Sequence, residues 1–187
     1  MRAALTLLLL ACVVRAMPQT SGLDGPRPLV ITEAVALPLS KAQIYAAAVD
    51  AWELSFGQEP GAKLTDRDTS NNRIEGVARV NYRSAQLGSR LGSMGVINYN
   101  ITIQTENGQC QVRISHLSHT GNRNAPSGAI DLGTIYTGNR PEEPVPGVSK
   151  GSAERLHADM RAQATAHIGD VMKRFSSAMR RAAGPMR

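Results

Sequence analysis

The sequence predicts an α+β fold in two layers, a sheet of antiparallel strands backed on one side by two helices. Three observations carry the prediction. Residues 73–83, 96–105 and 110–119 alternate apolar and polar side chains with the period of two that a half-buried strand requires. Residues 40–57 and 152–182 repeat their apolar side chains every three or four positions, as an amphipathic helix does. The order is strand, helix, four strands, long helix, so the two helices are the only elements able to cover the apolar side of the sheet.

Leu29–Leu37 is rich in Val, Ile and Thr and stops at Pro38, which cannot donate to a ladder; it predicts the first strand. Ser40 followed by Gln43 has the capping-box spacing and opens the first helix. Tyr45, Ala48, Val49, Trp52 and Phe56 form its apolar face, Gly57 fits its stop, and the single Trp is expected in the core. Ala62–Thr69 is the weakest strand pattern, and Ser70-Asn71-Asn72 supplies the turn after it. In the next strand Ile74, Ala78, Val80 and Tyr82 share the buried parity, and Glu75, Arg79, Asn81 and Arg83 the wet one. Residues 84–93 read as a loop. Ile97, Tyr99, Ile101 and Ile103 then oppose Asn98, Asn100, Thr102 and Gln104, before the hairpin signal Asn107-Gly108. The fourth strand of the block puts Cys110, Val112, Ile114 and His116 inside and Gln111, Arg113, Ser115 and His119 outside. Residues 120–151 read as a long irregular loop with room for one short strand within 130–136; two copies of Thr-Gly-Asn-Arg are too little for a repeat. Leu156, Met160, Ala164, Ile168, Val171, Met172, Phe175 and Met179 make the stripe of the long helix.

The 187 residues amount to one domain, 29–182, with a basic tail at 183–187. Seven aromatic residues leave little stacking surface for single-stranded nucleic acid, and none is expected as a partner. At the N-terminus Arg2 precedes an apolar run, Ala3–Val14, shorter than the about 20 residues of a membrane-spanning helix. It reads as a secretory signal peptide, 1–16, with Val14 and Ala16 small enough for the cleavage pockets. The alternative is a lipoprotein leader, 1–11, ending in Leu9-Leu10-Ala11-Cys12, with Cys12 lipidated as a membrane anchor. Either way the protein is expected outside the cytoplasm, periplasmic or secreted in the first case and an outer-membrane lipoprotein in the second. Residues 17–28, with their Pro, Gly and Ser, read as a flexible spacer. Loss of Arg2 and Arg15 with the signal peptide leaves 19 cations against 15 anions, a net +4, and Cys110 as the sole thiol, so no intramolecular disulfide can form.

The stretch from Val35 to Ser118 carries a resemblance. Its Leu-Pro-Leu-Ser-Lys-Ala-Gln-Ile-Tyr helix start, Trp52 within that helix, the strand beginning Asn72-Arg-Ile-Glu-Gly-Val-Ala-Arg-Val and the strand Tyr99-Asn-Ile-Thr-Ile-Gln before a hairpin resemble the bacterial envelope family called domain of unknown function 4468. That family is similar in fold to one half of the TATA-box-binding protein (TBP), a curved sheet backed by two helices. The resemblance covers about half the chain, omits the 120–151 loop and implies no activity; fold likeness to a DNA binder transfers no function.

Chemical signals are sparse. His116-x-x-His119 would share one face of a helix but points to opposite faces of a strand, so no metal is expected there without a bulge. The spacing leaves His116 structural and His119 solvated. Asp66, Asp68 and Ser70 imitate a calcium loop, yet Asn71 stands where Gly is needed and Val77 where Glu is needed. Cys110 falls on the buried parity, where a thiol is inert. Ser115 and Ser118 flank His116 without facing it, and no phosphate or dinucleotide fingerprint occurs, so no cofactor is expected.

What remains is the wet face of the sheet. Arg79, Arg83, Asn98, Asn100, Thr102 and Arg113, with Asn81 and Ser115, share it by parity. Arginines on neighbouring strands can converge on an anion, and amide and hydroxyl side chains suit peptide or sugar. The expected function is a non-catalytic envelope module whose open sheet face binds a protein, peptide or glycan partner. The alternative is an envelope hydrolase using His119 and a long-loop acid such as Asp131. The sequence sets no oligomeric state. Intact mass of the protein taken from its native membrane tests the leader: a chain starting at Met17 or a diacylglycerol adduct on Cys12 is the expected result, and a chain retaining residues 1–16 without lipid would contradict export.

Overall fold

Alternation places one side chain of every pair against the helices and the other in solvent, and the sheet obeys it almost throughout. A computed structural model describes residues 25–84, 94–124 and 128–184. The expected leader with Cys12, the spacer as far as residue 24, most of the 84–93 loop and the end of the basic tail lie outside the described residues. The elements are β1 (Ile31–Ala36), α1 (Lys41–Glu53), a single 3-10 turn (Phe56–Gln58), β2 (Lys63–Asp68), β3 (Arg73–Tyr82), β4 (Gly95–Glu106), β5 (Gln109–Gly121), β6 (Gly133–Thr134) and α2 (Lys150–Ala182). The sheet is antiparallel, in the order β1-β5-β4-β3-β2, with β6 beside β1 on the outer edge of β5. Both helices pack on one face and on each other. The fold is thus the predicted two-layer α+β one.

The inward parity forms the core. Ile74, Ala78, Val80 and Tyr82 on β3, Ile97, Tyr99, Ile101 and Ile103 on β4, and Cys110, Val112 and Ile114 on β5 are buried against the full predicted stripe of α2. Burial among apolar side chains pushes the Cys110 thiol up to about 12, so it stays protonated and behaves as a small hydrophobe. Gly76 on the same parity has a packing role. A Cβ there would lie 2.2 Å from the Trp52 ring and 2.9 Å from the Lys63 carbonyl, so only glycine lets the indole lie on the strand.

The first helix differs from its predicted face. Its buried residues are Ile44, Ala47, Ala48, Ala51 and Trp52, whereas Tyr45 and Val49 are half-buried. The alanines are small enough to approach the sheet closely, and that turns the helix away from the stripe of larger side chains. The helix also ends at Glu53, not at Gly57; Phe56 belongs to the 3-10 turn, where its ring packs 5.5 Å from Trp52 and 5.6 Å from Phe175. At the start, the Ser40 backbone N–H donates to Gln43 Oε1 at 3.0 Å, as the predicted capping spacing requires. Asn107 of the β4–β5 turn accepts the Lys41 N–H at 2.8 Å, which ties the hairpin to the helix. Asn72 takes the left-handed conformation, φ 55°, that its turn demands.

Loop 120–151 is ordered along its described return limb by two side chains of α2. The Arg161 guanidinium donates to the carbonyls of Tyr136, Thr137 and Gly138, and His157 Nε2 accepts the Tyr136 N–H at 3.0 Å. On its other side the limb meets the expected spacer, which is pinned at its end: Pro28 bridges Tyr136, Leu29 N–H donates to the Ile135 carbonyl, and Thr137 N–H to that of Arg27. The limb also buries Leu132, Ile135 and Val145 in the core, and these backbone bonds fix the stretch around them. A second tie joins the 3-10 turn to α2, where the buried Glu59 carboxylate accepts from Arg174 at 2.7 Å and meets His167 Nε2 at 2.5 Å.

His157 is 3% exposed, and burial, then the nearby Arg161 and Arg140, lower its pKa from 6.5 to about 4. A depressed histidine favours the fold fully above its unfolded value and loses that contribution as pH falls from about 6.5 to about 4. Urea unfolding of wild type is therefore expected to lose stability over that window. His157→Gln, which keeps an acceptor for Tyr136, is expected to reduce the loss by about 2–3 kcal/mol. Equal pH dependence of both proteins would contradict the assignment.

Candidate binding face

The solvent side of the sheet is laid out by register. Across β3, β4 and β5 the outward residues stand in rows: Glu75, Thr102 and Arg113; Val77, Asn100 and Ser115; Arg79, Asn98 and Ser118; Asn81, Val96 and Thr120. Thr32 of β1 extends the first row and Thr134 of β6 the third. Arg79, Asn81, Asn98, Asn100 and Arg113 are exposed on it and Thr102 is half-buried, whereas Ser115 is buried and exposed Arg83 falls just past the end of β3; neither helix covers the face.

The arginines do not converge. Arg79 and Arg113 are separated by two strands and four residues along β4, roughly 10 Å by 14 Å at ordinary strand spacing and rise. Arg79 also leans against the turn before β2, so close that a Cβ on Gly61 would sit 2.5 Å from its Nε. Arg83 lies beyond the end of β3, and its carbonyl accepts from Gln163 of α2 at 3.3 Å. The middle of the face is Asn98 and Asn100 of β4, with Val77 and Arg79 beside them on β3 and half-buried Ser118 and buried Ser115 on β5. Each amide carries both donors and an acceptor, whereas a guanidinium only donates.

The expected parity of β5 fails at one point. The ladder shifts register between Asn98 and Asn100, so that both His116 and Leu117 stand opposite Tyr99, and His116 takes φ 55°. This is a β-bulge: one added residue reverses the inside and outside of everything after it. Leu117 and His119 therefore face the core, and His116 faces solvent, which inverts the predicted roles of the two histidines. The bulge does not unite them as a metal pair, and among the described residues no group of three metal-binding side chains is assembled.

His119 is 2% exposed, edge-on to Tyr82 with centroids 5.3 Å apart. Its Nδ1 accepts the Leu132 N–H at 3.4 Å, which places the proton on Nε2, and Nε2 has no hydrogen-bond partner among the described residues. Burial lowers its pKa to about 4 against a smaller opposing pull from Asp131. The Asp131 carboxylate itself accepts the Gly121 N–H at 2.6 Å. The pair expected for a hydrolase is thus a core imidazole and a loop-tying carboxylate, with no hydrogen bond between them and no open approach to the ring.

The bulge makes a different pair. Ser115 Oγ lies 3.1 Å from His116 Nδ1, although neighbours on a regular strand would point apart. Beside them a groove of about 490 Å³ opens, lined by Pro28 and Val30 of the segment before β1, by Arg113, Ser115 and His116 of β5 and by Thr134 of β6. Sequence reasoning missed it because its walls come from the expected spacer, the loop and a strand defect. One signal was present: Ile114 and Leu117 are both apolar three residues apart, an odd spacing that a strand can bury on one side only through a bulge.

The near-calcium sequence is a turn. Asp68 accepts from the Ser70 hydroxyl at 2.5 Å, the Asn71 N–H at 2.9 Å and the Asn71 amide at 2.6 Å, and these bonds hold its carboxyl well below the usual range.

No family model matches the sequence, and no curated protein matches it. Solved structures do match the fold. A DUF4468 family protein from Bacteroides ovatus superposes with a TM-score of 0.50 at 18% identity, over 87% of this chain and 91% of that one. A TBP-like protein from Parabacteroides distasonis superposes with a TM-score of 0.54 at 11% identity, over 79% of this chain and 92% of that one. At such identities the likeness is one of fold alone, and in fold this chain is of the DUF4468 and TBP-like kind: a six-stranded antiparallel sheet, open on one face and backed by two helices.

Proposed function

We propose that this protein is a non-catalytic binding module of the bacterial envelope, exported by its N-terminal leader, which holds a partner protein, peptide or glycan against the uncovered face of its sheet. The carrying observation is the composition of that face: exposed Asn98 and Asn100 at its centre on β4, Arg79 and Arg113 on the strands to either side, and both helices on the opposite side. Antiparallel sheets often leave one face to water. A row of Asn, Ser and Thr side chains also offers donors and acceptors at fixed spacing to a ligand rich in the same groups. The hydrophobic pattern of residues 1–16 supports export. Among the described residues no helix is long and apolar enough to cross a membrane.

A photo-crosslinking amino acid placed at Asn100, in the middle of the face, tests the reading in intact envelopes. The expected result is one discrete adduct, absent when the same group is placed at exposed Thr165 on α2. Equal labelling from both positions, or none from Asn100, would contradict it.

A further inference from the structure

We propose that the groove at the β5 bulge binds a carboxylate carried on an apolar body, with Arg113 and His116 as its donors. The inference deepens the reading of the open face and rests on it. Its first support is the backbone. A non-glycine residue at φ 55° is strained, and such strain gathers where a side chain must be aimed. Here it turns the imidazole into the groove, although a regular strand would have sent the ring into the core.

The second support is the donor set. Ser115 Oγ occupies His116 Nδ1; when the hydroxyl donates, the ring proton sits on Nε2, the nitrogen left for a ligand. Arg113 is exposed and makes no ion pair among the described residues, because Glu75, the acid of its own row, pairs with Arg73. No carboxylate lines the groove. A guanidinium beside an N–H, without an acid to neutralise it, complements a planar anion.

The third support is the apolar part of the lining. Val30 is 40% exposed, one of two large apolar side chains left so open among the described residues, and it lines the groove with Pro28; it lies two residues before Thr32, the direct partner of Arg113. Apolar side chains beside a cation select a ligand that is itself divided. Inorganic phosphate would leave the Val30 side unused, and a plain hydrocarbon would leave Arg113 unpaired. Two sources share the chemistry: the C-terminal residue of a peptide and a short fatty acid.

The test is amide chemical-shift titration of the full chain with three probes: acetyl-Ala-Leu as the free acid, octanoate, and acetyl-Ala-Leu amide. The expected result is saturable shifts at His116–Ser118 with at least one acid. Binding of the amide should be weaker by roughly tenfold or more, the worth of a charge-assisted bond. Saturation by the dipeptide alone assigns a peptide terminus, and by octanoate alone a fatty acid. Arg113→Gln should weaken the acid by a similar factor, and Arg79→Gln, a cation on the same face outside the groove, should not. No saturable shift with either acid, equal binding of acid and amide, or equal loss in both arginine variants would overturn the proposal. Failure of the acids with the Asn100 adduct intact would reject the groove and leave the wider face standing; loss of the adduct with acid binding intact would do the reverse.

Discussion

The pairing of β4 with β5, and the single residue inserted into it at His116, decides what this molecule presents to its surroundings. These are the two longest strands, 12 and 13 residues, and they lie in the middle of the sheet, so β1, β3 and β6 take their register from them and β2 takes its own through β3. Because side chains alternate, one added residue exchanges inside and outside for all that follows. Leu117 and His119 enter the core as a result, and His116 and Ser115 become the wall of a groove. The cost is borne by the rest of the ladder, which holds a left-handed histidine in place across eleven register positions of β4 and β5.

The layer arrangement follows from where apolar area can be covered. Both helices lie on the inward parity, and the outward parity is left to a mostly polar set in which Asn98 and Asn100 hold the centre and Val77 and Val96 are the apolar exceptions on β3 and β4. Edge protection is unequal. Strand β2 carries Lys63, Asp66, Arg67 and Asp68 and a register shift of its own, features that discourage pairing with another chain, and β1 with Thr32, Ala34 and Ala36 outward is much plainer. The loop before α2 would be loose by composition, yet Arg161 and His157 recruit its backbone, and through Ile135 and Tyr136 it braces the segment that forms one wall of the groove.

Much of this was legible in the sequence, for a physical reason. Period-two runs on β3 and β4 and the stripe of α2 each repeat one rule many times, so a single exception cannot hide them. Arg79, Asn98, Asn100, Thr102 and Arg113 lie on the face because parity alone places them, and Arg83 falls just past the end of β3. What was not legible depended on single events. The bulge rests on one residue, and it reversed His116 and His119. The α1 face turned because alanines, weak in any apolar count, allow the closest approach to the sheet. Convergence of the arginines was expected from their shared side, but parity fixes a side and not a distance. The groove needed residues 28–30 and 134, which alternation does not reach.

The account stands on the reversal at His116, and histidine-selective acylation with diethyl pyrocarbonate reads it directly. The full chain has four histidines, and peptide mapping after brief reaction at neutral pH separates them. The account predicts rapid modification of His116 and of half-exposed His167, with His119 and His157 spared until the protein is unfolded. Modification of His119 as fast as His116, or protection of His116 in the folded chain, would mean that the strand runs without its bulge and that the groove and its donors do not exist.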